Sequence, residues 1–149
     1  MTDAIITDGA KAPSHLWIFG GLSALWNAFG AFDYVMTQTH NQVYLADFTV
    51  EQRAFFDSFP AWMEGAWAFG VWGALSGSLL LLARSRHAVM AFGVSLAGLA
   101  VSTAYRYAFS TPPAAMKSAS MMLLNLAIWA IAIALLVYAR KMRARGVLR

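Results

Sequence analysis

The chain contains no cysteine and little charge. Without cysteine there can be no disulfide, thiolate metal site, iron–sulfur cluster or cysteine nucleophile. Of 149 residues, 11 are Lys or Arg and 7 are Asp or Glu, so 12 % are charged and 60 % hydrophobic. A soluble domain carries about 25 % charged residues. Also missing are a glycine-rich phosphate loop, HExxH, GxSxG and any nucleophile–base pairing, so no catalysis is expected. The histidines His15, His40 and His87 stand at the ends of apolar runs or in loops, which argues against haem held across a bundle. Met36, Met63, Met116, Met121 and Met122 gather toward one side, but no M-x-x-M spacing puts two on one helix face. They read as adaptable packing rather than copper ligands. No metal and no cofactor is expected.

The few charges are placed with a pattern. Between Lys11 and Asp33 lie 21 uncharged residues; between Glu64 and Arg84, 19; between Arg86 and Arg106, 19; between Lys117 and Arg140, 22. Each window matches the ~20 residues that a helix needs to cross about 30 Å of hydrocarbon. The expectation is therefore all-α: a polytopic membrane protein, a single domain of four transmembrane helices in an antiparallel bundle. The spans are expected over residues 16–36, 61–83, 88–109 and 119–139. The polar, acidic stretch before the first run (Asp3, Asp8) and the absence of an A-x-A-like site predict that the first span is retained.

Between spans one and two, Thr49-Val50-Glu51-Gln52 has the form of a capping box. It predicts a short outer amphipathic helix ended by Pro60, with Phe55, Phe56 and Phe59 available to press onto the membrane surface. Four spans place both termini on one side with the Arg84-Ser85-Arg86-His87 turn. That side collects Lys11, Arg84, Arg86, Arg140, Lys141, Arg143, Arg145 and Arg149; the other has Arg53, Arg106 and Lys117. The positive-inside rule then makes both termini cytoplasmic. The net charge of +4 is thereby spent on topology, and nucleic acid is not an expected partner.

Small and polar residues recur at helical spacing: Gly20, Ser23, Asn27, Gly30 and Tyr34 in span one; Ala66, Gly70, Gly73 and Gly77 in span two; Ala91, Ser95, Gly98 and Ser102 in span three; Asn125, Trp129 and Ala132 in span four. Small residues let helices approach closely in lipid, so one reading is a packed bundle. The other places Asn27 near the midplane in a ligand cavity, with Trp26 as a flat apolar plate beside Trp67 and Trp72. Ser23 and Asn125 are secondary candidates for the same ligand site, which would suit a small neutral, hydroxyl-rich solute. Asp33, Glu64 and Arg106 share the outer third of their spans and are expected to form a charge cluster at the outer mouth.

The segments Leu25-Trp26-Asn27-Ala28-Phe29-Gly30-Ala31-Phe32-Asp33-Tyr34, Phe59-Pro60-Ala61-Trp62, Gly70-Val71-Trp72-Gly73-Ala74-Leu75 and the Arg84-Ser85-Arg86 turn resemble a group of small four-span proteobacterial, notably alphaproteobacterial, inner-membrane proteins. Members often carry the automatic label "sugar transporter". The resemblance implies an inner-membrane protein and favours a solute carrier, but transfers no site residue. The alternative is a non-catalytic accessory or scaffold subunit of a larger membrane complex. Expected partners are the lipid bilayer, a further copy or a membrane subunit, and a small neutral solute such as a sugar.

Overall fold

A computed structural model describes residues 11–149; Asp3 and Asp8 lie outside them. The described residues hold five α-helices, two short 3-10 turns and no strand. They are α1 (Ser14–Gln38), α2 (Val50–Asp57), α3 (Ala61–Leu82), α4 (Ala88–Ala108) and α5 (Ala119–Ala144). Three of them, α3, α4 and α5, are long and apolar enough to cross a membrane. α1 has the length, 25 residues, but Asn27, Asp33 and its glycines and tryptophans dilute its apolar content.

The α3–α4 hairpin is the most closely packed unit. Gly77 faces the Phe92 ring, Gly73 faces Ala91 and Ser95, and Gly70 faces Ser95 through Leu99. A β-carbon on Gly98 would stand 2.5 Å from both Ala66 O and Gly70 N. Ser95 Oγ donates across the interface to Gly70 O at 2.6 Å. The small faces of spans two and three are therefore one continuous contact, and the Gly73–Gly77 pair is used inside the chain rather than offered to a partner. α1 lies on the other flank of α3, with Gly20 against Leu82 and Tyr34 edge-on to Trp67.

α2 begins with the capping box expected. Thr49 Oγ1 accepts from Gln52 N at 3.2 Å, and Gln52 Oε1 accepts from Thr49 N at 2.8 Å. The Glu51 carboxyl is held below its ordinary range by its own backbone N–H and the Thr49 hydroxyl. Its aromatic side turns inward rather than onto the membrane surface: Phe55, Phe59 and Met63 are buried together, with Phe56, Tyr105 and Met116 around them. Ring-to-ring contacts such as Phe55–Phe59 at 5.0 Å offer better cover to these faces than headgroups do.

α5 runs past the expected end of span four, carrying residues 140–144 as helix rather than as a basic tail. Ala, Lys, Met and Arg are good helix formers, and cations suit a helix C-terminus. Gly146, at φ +70°, ends it in a Schellman turn, with Val147 N donating to Met142 O at 3.0 Å. The chain then returns to the α3–α4 turn. Arg149 N donates to Arg84 O and Arg86 N to Arg149 O, both at 2.7 Å, and Arg84 Nε reaches Val147 O. Val147 and Leu148 complete a core of Leu16, Leu81, Ala88, Phe92, Ala139 and Met142.

Because the obstruction at Gly98 is backbone, Gly98→Ala should separate α3 from α4 and destabilise the protein by about 1–3 kcal/mol. Gly93→Ala, with open space around it, should be neutral. Thermal melts of the two purified variants in one detergent check the contrast.

Candidate functional site

The residues singled out from the sequence do not converge. Asn27, on α1, points at α3 and donates through Nδ2 to Ser78 Oγ at 2.9 Å and to Ala74 O at 3.2 Å. Ser78 is fully buried and itself donates to Ala74 O. The amide that was to hold a solute instead ties two helices together, and Ser78, one residue past Gly77, is the partner sequence reading missed. A polar residue at helical spacing from a small-residue face was the available signal.

Ser23 is buried, with Oγ donating to Gly20 O at 3.0 Å. It lies beside Trp26 on one wall of a groove of about 590 Å³ between α1 and α5. Phe19, Leu22, Trp26 and Phe29 face Ile131, Ala134, Leu135 and Tyr138 across it. Almost every exposed atom of this lining is apolar, so it has no array of partners for a sugar's hydroxyls. At one end His15 Nδ1 and Tyr138 OH are 2.6 Å apart, and Phe19 packs edge-on to Tyr138 at 5.3 Å. Asn125 is elsewhere, in the N-terminal half of α5, donating over 3.4 Å to Tyr107 OH. Trp67 stacks on Phe56, and Trp72 is largely exposed.

Asp33, Glu64 and Arg106 share one end of the molecule, yet no N–O distance within 4 Å joins Arg106 to either carboxylate among the described residues. Arg106 Nε is buried without an acceptor. Asp33 takes a different partner: Tyr44 OH donates to its Oδ1 at 2.6 Å. Burial, then that hydrogen bond and the carboxylate charge, push Tyr44 up to about 12. Glu64 lines a polar recess of about 210 Å³ with Thr37, Gln38, His40, Phe56 and Asp57. His40, at φ +49°, turns its Nδ1 to within 3.6 Å of Asp57 Oδ1. None of these partners was legible, because each depends on how residues 39–60 fold back over the helix ends. No group of three or more His, Asp or Glu able to hold a metal occurs among the described residues.

Compared with protein-family models, curated proteins and solved structures, the chain matches none.

Two variants test these contacts. Asn27→Ala should lower stability by about 1 kcal/mol, the usual worth of an interhelical polar contact in a membrane, and thermal melts of the purified variant measure it. Tyr44 has its proton held more tightly in the folded state than in the unfolded one. Its contribution is therefore complete below about pH 10 and lost as pH rises through about 12. Melting temperature followed across that window should fall less steeply in Tyr44→Phe than in the parent.

Proposed function

We propose that the chain is a four-span protein of a bacterial inner membrane, both termini cytoplasmic, acting as a non-catalytic accessory or scaffold subunit of a larger membrane complex. The length of α1 and its exposed row of Ile18, Leu22, Leu25 and Phe29 support it as the fourth span. The excess of basic residues beside the chain termini and the 84–87 turn supports the orientation. The likeness to small four-span proteobacterial proteins is in keeping with both.

The observation that carries the subunit reading is the outer half of α5. Met122, Leu123 and Leu126 are 59, 69 and 67 % exposed, and Asn125 sits among them with one long hydrogen bond. An amide facing lipid is costly, and a neighbouring helix with a polar group relieves that cost. The α2 aromatics and the Gly73–Gly77 face are occupied within the chain, whereas this face combines exposed apolar side chains with an amide.

A cysteine-free chain makes the test clean. Leu126→Cys in native membranes should cross-link to one defined product, and adding Asn125→Leu should lower its yield about threefold. A product of twice the chain mass would assign the face to a second copy, a different mass to a partner subunit. No product would end the reading.

A second reading, a carrier of a small neutral solute, draws its support from the outer recess, where Gln38 and Thr37 adjoin the Phe56 ring and two carboxylates. An aromatic plate beside amide and hydroxyl groups suits a sugar better than the α1–α5 groove does. A mono- and disaccharide panel should then contain one member that raises the melting temperature of the parent and not of Gln38→Leu.

A further inference from the structure

The α1–α5 groove is too apolar for a sugar and ends in polar and basic groups on one side only. We propose that it is a binding site for one anionic phospholipid, with an acyl chain along the groove and the phosphate at the Tyr138 end. The subunit reading above is not needed for this; the orientation proposed there serves only to name the leaflet as the cytoplasmic one.

Three observations carry it. From Phe19 to Phe29 the α1 wall spans ten helical steps, about 15 Å of helix. That is half of the ~30 Å hydrocarbon thickness, the depth of a single leaflet. The groove's volume of about 590 Å³ lies within the usual range of built ligand sites, about 300–1,000 Å³. Its polar end is the hydrogen-bonded His15–Tyr138 pair, and beyond Tyr138 the same face of α5 continues, at steps of three and four, to Lys141 and Arg145. Both are exposed. Basic side chains at this depth reach the headgroup region and attract anionic lipid. The opposite end of the groove, at Phe29 and Ile131, carries no charge, so a two-ended ligand has one orientation only. A second copy of the chain, which would also cover the apolar walls, gives the two cations nothing to neutralise.

The test uses purified full-length protein in mixed micelles with phosphatidylglycerol or phosphatidylcholine of identical chains, and native mass spectrometry to count retained lipid. Two cations at a membrane surface predict about a thirtyfold preference for phosphatidylglycerol. Lys141→Gln with Arg145→Gln should equalise the two lipids, and Ala134→Phe, an exposed position filled by a ring, should remove retention of both. Phosphatidylglycerol with brominated chains should quench the parent's tryptophan fluorescence more than that of Trp26→Phe. Equal retention of the two lipids by the parent, or undiminished retention in Ala134→Phe, would overturn the proposal. So would a lipid-independent dimer disrupted by Ala134→Phe, because the groove would then belong to a second copy.

Discussion

The backbone-to-backbone contact of α3 and α4 at Gly98 is the constraint on which the rest depends. In lipid no water drives helices together, so association rests on how closely main chains approach and on hydrogen bonds between them. With Gly98 against Ala66 and Gly70, and Ser95 bonded to Gly70 O, the hairpin has both. Its fixed geometry then sets everything laid against it. Ser78 is held where Asn27 can reach it, Met63 and Tyr105 form the floor under the α2 aromatics, and Leu81, Ala88 and Phe92 form the inner core that receives Leu148.

Hydroxyl and amide groups between the helices are consumed by this construction, while Arg106 Nε stays buried without an acceptor. Ser23 and Ser102 bond back to their own helices, and Asn27 and Ser95 bond across. The accessible polar groups lie at the helix ends: the recess beside Glu64, and the His15–Tyr138 end of the α1–α5 groove. A chain with few charges thus keeps its accessible polar groups near the helix ends, the places where such groups cost least in a membrane.

The helices were legible because apolar runs and charge gaps are local properties. The expected starts at residues 61, 88 and 119 coincide with those of α3, α4 and α5, and the capping box at Thr49 is present to the atom. The small-residue faces were legible too, since helical spacing alone puts Gly70, Gly73 and Gly77 on one stripe. Partnership was not. Whether Asn27 faces a cavity or Ser78, and whether Asp33 meets Arg106 or Tyr44, depends on helix rotation and on the path of residues 39–60, which periodicity leaves open. The span was expected to end at residue 139 because charge marks the membrane boundary, yet nothing in residues 140–144 stops a helix, which continues to Ala144 before Gly146 turns the chain.

α5 is fastened at one end. Its buried residues, Leu135, Leu136, Ala139 and Met142, all lie in the C-terminal half, and the return of the chain to Arg84 clamps that end. Over 26 residues it is a lever of about 39 Å, so a pivot of about ten degrees at the clamp would move its far end by about 7 Å. Bilayers that thin or thicken are met by helix tilt. Beyond its buried residues α5 is held to α4, among the described residues, by the single Asn125–Tyr107 hydrogen bond, so a change in its tilt disturbs less packing than a change within the α3–α4 hairpin.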